Sequence, residues 1–168
     1  MKIFTPKLPN YVKSIDEKLL YGHAMYNPYR LYSLKKNNVT QIIDLRNTGS
    51  LSKMLEKTFC KLMGIKYVNC RYPHRLSNLP EENFFQNVND AILSNDKLTY
   101  MHCLYGKRRT GITVAYYELK NTRKTPIQVL SDLIDIGFDK LNLETKRGRK
   151  YFGILTEFID RYLREVKL

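Results

Sequence analysis

The chain has 168 residues and a formal net charge of +13, from 29 lysine and arginine residues against 16 aspartate and glutamate residues. Its length and its 43% of hydrophobic residues predict one domain, residues 1–168, whose core needs no disulfide or structural metal. Three cysteines at irregular spacing argue against a disulfide framework and favour a reducing, cytoplasmic compartment, with delivery into a host cell left open. No apolar run is long enough to span a bilayer.

The excess of positive charge favours anionic partners, a class that includes phosphorylated ligands, nucleic acid and acidic membranes. The basic residues are spread along the whole chain, which argues against a separate nucleic-acid-binding tail. Neither a CxxC pair nor a histidine cluster indicates a metal site, and the sequence predicts no cofactor.

Residues 1–18 predict an irregular lead-in, because Pro6 and Pro9 interrupt it. Four compact β-type runs then predict strands at 18–22, 40–45, 66–70 and 98–101. Cap residues and apolar residues at helical spacing predict helices that begin near Asn27-Pro28, Ser50, Pro80, Ile112 and Thr125-Pro126, with a final helix over 152–166. In the helix from Thr125, the predicted buried residues are Ile127, Leu130, Leu133 and Ile134.

Strands that alternate with helices predict an α/β fold, with a central, largely parallel sheet of about four to five strands and helices on both faces. Ligands of such sheets bind beyond the carboxyl ends of the strands. Three segments should meet there: residues 44–46, the loop 71–79 and the loop that begins at Cys103.

The most informative stretch is 102–111, His-Cys-Leu-Tyr-Gly-Lys-Arg-Arg-Thr-Gly, between a predicted strand and a predicted helix. A strand, a tight loop and a helix start direct consecutive backbone N–H groups and the positive end of the helix dipole at one point. That arrangement is a cradle for an anion such as phosphate. The residues predicted to bind the phosphate are Leu104, Tyr105, Gly106, Lys107, Arg108 and Arg109.

The side chains of this stretch suit a nucleophilic attack on phosphorus. A thiol attacks as the thiolate, which a helix N-terminus and nearby cations stabilise, so Cys103 is the candidate nucleophile. Arg109 can place two N–H donors on two oxygens of one phosphoryl group, which lysine cannot do. Thr110 can donate a hydrogen bond to the departing sulfur, and His102 is expected to orient the loop.

This stretch resembles the signature of the cysteine-dependent protein tyrosine and dual-specificity phosphatase superfamily. The family pattern is His-Cys, five residues, Arg, then Ser or Thr, then Gly, and the matching residues are His102, Cys103, Arg109, Thr110 and Gly111. The resemblance implies a single phosphatase domain of the same α/β architecture. It also implies hydrolysis of phosphomonoesters through a cysteinyl-phosphate, without a metal or a cofactor.

One feature departs from the family. The usual general acid is an aspartate on a loop upstream of the cysteine, but no Asp or Glu occurs between Lys57 and Pro80. Counting from Tyr67 places His74 near the expected position, where an imidazolium could donate the proton. The alternative is that His74 only binds substrate or water.

A missing acid matters because alkyl phosphates leave poorly without a proton, whereas aryl phosphates and phosphoanhydrides leave more easily. The stretch Ile42–Thr48 is similar to one in RNA 5′-triphosphatases of the superfamily. The stretch Gly106–Gly111 is similar to the signature of atypical inositol phosphate phosphatases. The residues that could line a rim for such polyanions, or merely be exposed charges, are Asp44, Arg46, Arg71 and Arg75.

The sequence therefore predicts a phosphatase of the dual-specificity type that acts on phosphotyrosine-containing or other phosphorylated proteins. A second hypothesis is a phosphatase of polyanions, namely an RNA 5′ end, an inositol phosphate or a phosphoinositide. A third, of another class, is a phosphate-binding pseudophosphatase module with weak turnover.

Overall fold

The computed structural model describes residues 7–47, 49–73, 79–138 and 145–163. The strands are β1 (Lys13–Ser14), β2 (Leu19–Gly22), β3 (Val39–Asp44), β4 (Lys66–Asn69) and β5 (Leu98–His102). The α-helices are α1 (Pro28–Lys36), α2 (Leu51–Leu62), α3 (Glu82–Leu93), α4 (Arg108–Asn121), α5 (Pro126–Leu133) and α6 (Lys146–Phe158). Two π-helical segments, Ile134–Phe138 and Ile159–Leu163, continue α5 and α6.

The strands form one sheet of five strands in the order β1-β2-β5-β3-β4. All neighbouring pairs are parallel except β1 and β2 at one edge, so the predicted largely parallel sheet is confirmed. His102 pairs with both Gly22 and Asp44, and Asp44 pairs with Asn69. The carboxyl ends of four strands therefore lie level at one edge of the sheet, which is where ligands bind in such folds.

Helices pack on both faces of the sheet, as predicted. On one face, α1 and α2 bury Leu31, Leu34 and Cys60 against Ile42 and Tyr100. On the other face, residues of α3 and α4 pack against the strand residues Ile43 and Met101. These helix residues are Val88, Ile92, Val114 and Tyr117. The described part of the chain contains no helix long and apolar enough to cross a membrane.

The prediction of an irregular lead-in over residues 1–18 is wrong at Lys13–Ser14. These two residues pair antiparallel with Tyr21 and Leu20 and form β1. A strand of two exposed residues shows no alternation of apolar and polar side chains, so the sequence pattern could not reveal it.

The predicted buried face of α5 is also partly wrong. Ile127 is 74% exposed and Ile134 is 40% exposed, whereas Val129 and Leu133 are fully buried. Thr125 and Gln128 form a capping box that fixes the first turn, and the helix then packs with Val129 and Leu133 inward. The run of aliphatic residues in this helix left its inward face ambiguous.

Two glycines provide a matched test of the packing. A Cβ at Gly22 would lie 2.6 Å from Tyr100 Oη and 2.7 Å from the carbonyl oxygen of Tyr11, whereas a Cβ at Gly153 would meet no atom within 4 Å. We expect Gly22→Ala to lower the free energy of unfolding by about 1–3 kcal/mol through overpacking. We expect Gly153→Ala, inside α6, to raise it by about 0.5–1 kcal/mol. Denaturant titrations measure both, and equal effects of the two substitutions would contradict the packing at the end of β2.

Candidate active site

The loop between β5 and α4 is held in place by the ends of the two neighbouring strands. The N–H of Leu45 donates to the carbonyl oxygen of His102 at 2.9 Å, and the N–H of Ala24 donates to that of Leu104 at 3.3 Å. Gly106 has φ of +63°, and a Cβ there would lie 2.3 Å from the carbonyl oxygen of Gly22. Both its conformation and this close backbone contact require glycine.

Cys103 follows β5 directly and is 6% exposed, at the border of the core. α4 begins after the loop, and its N-cap residue, Lys107, makes no side-chain capping hydrogen bond. The N–H groups in the first turn of a helix have no intrahelical acceptor, so an uncapped start leaves donors for an anion. The predicted binding of phosphate by this loop stays a prediction, which the uncapped helix start supports.

The three basic residues of the signature have different surroundings. Lys107 is exposed, and the guanidinium of Arg108 lies 4.0 Å from the ring centroid of Tyr151, in a cation–π contact. Arg109 is half-buried, and among the described residues its side chain has no ion pair. Of the three, Arg109 and Lys107 therefore remain available to a phosphate, and Arg109 is the more buried of the two.

Tyr72 is a site residue that the sequence analysis missed. It is 1% exposed and belongs to the same apolar cluster as Cys103. Burial raises the pKa of Tyr72 above its usual range, while the charge of Arg109 opposes that rise and the charge of Cys103 adds to it. The sulfur and the guanidinium thus lie within electrostatic reach of one phenol. An aromatic residue three positions after the end of β4 was the only signal in the sequence.

Thr110 is fully buried, and within the described part of the chain its hydroxyl has no hydrogen-bond partner. An unsatisfied buried hydroxyl is costly, so the group is available to a partner that the loop gains during the reaction. Its predicted hydrogen bond to the departing sulfur stays a prediction. The remaining loop side chains, Leu104 and Tyr105, are exposed, and Gly106 is buried.

Four charged or polar side chains lie buried beneath the loop, and we call Asp44, Arg46, Glu56 and His102 the buried charge cluster. Nε of Arg46 donates to Asp44 Oδ1 at 2.8 Å, Nη2 donates to Asp44 Oδ2 at 2.9 Å, and Nη2 also donates to Glu56 Oε2. Glu56 accepts a further bond of 2.8 Å from the N–H of Met25. The cluster therefore joins α2, β3 and the segment after β2.

His102 connects this cluster to the nucleophile. Its Nδ1 lies 2.9 Å from the carbonyl oxygen of Cys103, and its Nε2 lies 3.2 Å from Glu56 Oε1. The second contact has an ion-pair distance but not the angle of a hydrogen bond. Both neighbouring atoms are acceptors, so the ring fixes the backbone of Cys103 by donating from Nδ1. The loop-orienting role of His102 stays a prediction, and this contact supports it.

The cluster corrects the prediction that Asp44 and Arg46 line an exposed rim. Asp44 is 0% exposed and Arg46 is 4% exposed, because the guanidinium forms ion pairs inward with two carboxylates. Burial alone would raise the pKa of Asp44, but hydrogen bonds from Arg46 and Tyr67 and the charge of His102 hold it below its usual range.

The other predicted rim and acid residues have different outcomes. Arg71 is exposed, and its Nε donates to Asn69 Oδ1 at 3.3 Å, so it remains a candidate for the rim. His74 and Arg75 lie outside the described residues, and their roles stay predictions.

Asp44, Glu56 and His102 have ligand atoms within 4.8 Å of one another, a spacing that a metal ion could use. The guanidinium of Arg46 already bonds both carboxylates. A cation at this place would compete with that guanidinium, so the group is better described as a buried ion-pair cluster.

No protein-family model and no curated protein matches the chain. Its fold is similar to solved structures of phosphatases. The core catalytic domain of the PP-IP phosphatase Siw14 from S. cerevisiae, in complex with citrate, has a TM-score of 0.63 at 16% identity, over 92% of this chain and 91% of that one. PTPMT1 has a TM-score of 0.64 at 18% identity, over 90% and 96%.

A third similar structure is kinase associated phosphatase with its catalytic-site cysteine substituted by serine. Its TM-score is 0.63 at 17% identity, over 89% of each chain. These likenesses show that the chain has the α/β fold of the protein tyrosine and dual-specificity phosphatases, as the sequence predicted.

The buried charge cluster predicts a large stability effect of Arg46. Arg46→Met leaves two buried carboxylates without their cation, and we expect the free energy of unfolding to fall by about 3–5 kcal/mol. Arg71→Met is the matched control, because an exposed arginine should change stability by less than about 0.5 kcal/mol. Urea titrations compare the two. Similar midpoints for both variants would show that the cluster does not hold the fold.

Proposed function

We propose that the chain is a cysteine-dependent phosphatase of the dual-specificity type that acts on phosphotyrosine-containing or other phosphorylated proteins. The observation that carries the proposal is the placement of Cys103, of Arg109, which has no ion pair among the described residues, and of the uncapped start of α4 around one loop at the carboxyl edge of the sheet. The names of the structures with this fold, which describe phosphatases and in one case a catalytic-site cysteine, support it.

In the proposed reaction, the Cys103 thiolate attacks phosphorus and forms an S–P bond while the bond from phosphorus to the leaving oxygen breaks. The leaving oxygen takes up a proton. Water then attacks the cysteinyl-phosphate, the S–P bond breaks, and phosphate leaves as the thiolate is restored. The loop N–H groups and Arg109 hold the equatorial phosphoryl oxygens through both steps. Because the thiol must be reduced, we also propose that the protein works in a reducing compartment.

The proton donor for the leaving oxygen is a separate proposal. Glu157 is near the loop that carries His74, but it accepts from the N–H of Leu79 at 2.8 Å and from Arg161 at 2.6 Å. Those bonds give Glu157 a structural role at the end of this loop. We therefore propose His74, on the segment between the buried residues Tyr72 and Leu79, as the donor.

A second candidate function is the hydrolysis of polyanions, namely an RNA 5′ end, an inositol phosphate or a phosphoinositide. One observation favours it: the cationic side chains of Lys13 and Lys107 line a cavity beside the loop, together with the imidazole of His23. A panel of phosphopeptides, 5′-triphosphorylated RNA and inositol phosphates separates the two candidates by their relative kcat/KM.

We expect Cys103→Ser to lower kcat for p-nitrophenyl phosphate by more than roughly a thousandfold, because the nucleophile is lost. Orthovanadate should inhibit the wild type. Cys60→Ala is the control, since burial and the charges of Glu56 and Asp44 raise the pKa of Cys60 to about 12 and leave it unreactive. Full activity of Cys103→Ser would reject the mechanism. Phosphate binding without any turnover in the wild type would instead indicate a pseudophosphatase.

We expect His74→Ala to slow hydrolysis of an alkyl phosphate by about 10²–10⁴-fold, the usual contribution of a general acid, and that of an aryl phosphate much less. The reason is that an aryl oxide leaves without a proton. Asn78→Ala controls for perturbation of the same loop. An equal effect of His74→Ala on both substrates would exclude His74 as the donor and leave it a binding residue.

A further inference from the structure

A cavity of about 230 Å³ opens beside the phosphate-binding loop, at the end of β2. One wall consists of Tyr105, Gly106 and Lys107 of the loop, and the facing wall includes Tyr11, Lys13 and His23. The volume is below the range of about 300–1,000 Å³ that is usual for pockets enclosing a whole small molecule. The cavity is therefore sized for one part of a ligand whose remainder lies elsewhere.

The cavity has a fixed position relative to the loop. Gly22 and Gly106 are in direct backbone contact, and the N–H of Ala24 donates to the carbonyl oxygen of Leu104. Between these contacts, the carbonyl oxygen of His23 accepts a bond of 2.6 Å from the hydroxyl of Tyr100. The imidazole of His23 stacks on the ring of Tyr11, with centroids 4.9 Å apart. A group in the cavity would thus be held in register with a phosphate in the loop.

The cavity has an excess of positive charge. The ammonium groups of Lys13 and Lys107 line it beside the imidazole of His23, and the carboxylate of Asp135 opposes them. Arg30 adds to the field, because its guanidinium lies 5.1 Å from the ring of Tyr11. The pKa of His23 is lowered, first by burial and then by the charges of Lys107 and Arg30. These groups repel one another, and an anion between them would relieve the repulsion.

We propose that this cavity binds a second phosphoryl group of the substrate whose first phosphoryl group lies in the loop. The inference rests on the proposed cysteine-dependent phosphatase chemistry, and it favours the second candidate class of substrate, as a compact, polyphosphorylated small molecule, over phosphorylated proteins. Lys107 is four residues from Cys103, so the chain between them spans at most about 14 Å. Two phosphates on one short chain or on one ring meet that spacing.

Binding of phosphate-bearing probes tests the subsite without requiring turnover. In the full chain carrying Cys103→Ser, calorimetry compares orthophosphate with tripolyphosphate, with inositol hexakisphosphate and with a doubly phosphorylated peptide. We expect tripolyphosphate and inositol hexakisphosphate to bind at least about tenfold more tightly than orthophosphate, because they fill both positions. If the affinity for tripolyphosphate depends on Lys13, the subsite accepts phosphates arranged along a chain. If the affinity for inositol hexakisphosphate depends on Lys13, the subsite accepts phosphates arranged around a ring.

Charge variants then test whether the tighter binding of the polyphosphate probes depends on the cavity. Lys13→Glu should weaken a polyphosphate probe by about fivefold or more and change orthophosphate by less than about twofold. Asp135→Asn should act in the opposite direction, since it removes the opposing carboxylate. Lys57→Glu, on the exposed face of α2, makes the same charge change outside the cavity and should leave the preference intact.

The outcomes distinguish failure of the proposed subsite from failure of the proposed phosphatase activity. Equal effects of Lys13→Glu and Lys57→Glu would mean that only net charge matters and would overturn the subsite. If Lys13 strengthens the binding of a doubly phosphorylated peptide but not that of tripolyphosphate or of inositol hexakisphosphate, the proposal of a compact substrate is overturned. If the preference persists but wild-type protein hydrolyses no phosphate ester, the proposed function fails and the subsite stands. Cys103-dependent hydrolysis without the preference rejects the subsite alone.

Discussion

The structure depends on one arginine that is buried between two carboxylates. Arg46 bonds Asp44 and Glu56 beneath the phosphate-binding loop, where all three side chains are buried. Desolvation makes such a group stable only when every charge is opposed and hydrogen-bonded. Glu56 extends the same network to the N–H of Met25, and His102 extends it to the carbonyl of Cys103. The elements that border the site are therefore positioned relative to one another by charge as well as by packing.

In the loop above this cluster, by contrast, several polar groups have no partner among the described residues. Below the loop, the carboxylates are paired with the arginine. At the loop itself, the start of α4 is uncapped, the hydroxyl of Thr110 lacks a partner within the described residues, and Arg109 has no ion pair there. A site whose buried base is held by ion pairs and whose loop keeps unpaired donors is preorganised for an anion, because the donors need not break other bonds to bind one.

The sequence predicted what is encoded locally. Cap residues such as Asn27 and Thr125 start their helices as expected, and the signature is contiguous, so its loop could be placed before the fold was known. The buried charge cluster could not be predicted, because Glu56 lies on an amphipathic helix and only tertiary packing shows that it faces inward. The prediction that Arg46 is exposed is wrong for a similar reason, because only tertiary packing shows that its side chain is buried. The exposed Ile127 shows the converse error, in which apolar character alone suggested burial.

The inward orientation of Arg46 also changes where a substrate must lie. If the segment after β3 carried a free guanidinium, a polyanion would extend across the β3 side of the loop. Since that guanidinium is paired with two buried carboxylates, the described cations that line a cavity are Lys13 and Lys107 at the β2 side, beside the imidazole of His23. Arg71 is the exposed cation at the end of β4. The electrostatic asymmetry of the site therefore follows from the same ion pairs that hold the loop, and it directs the second anionic group of a substrate toward the edge of the sheet where β1 pairs with β2.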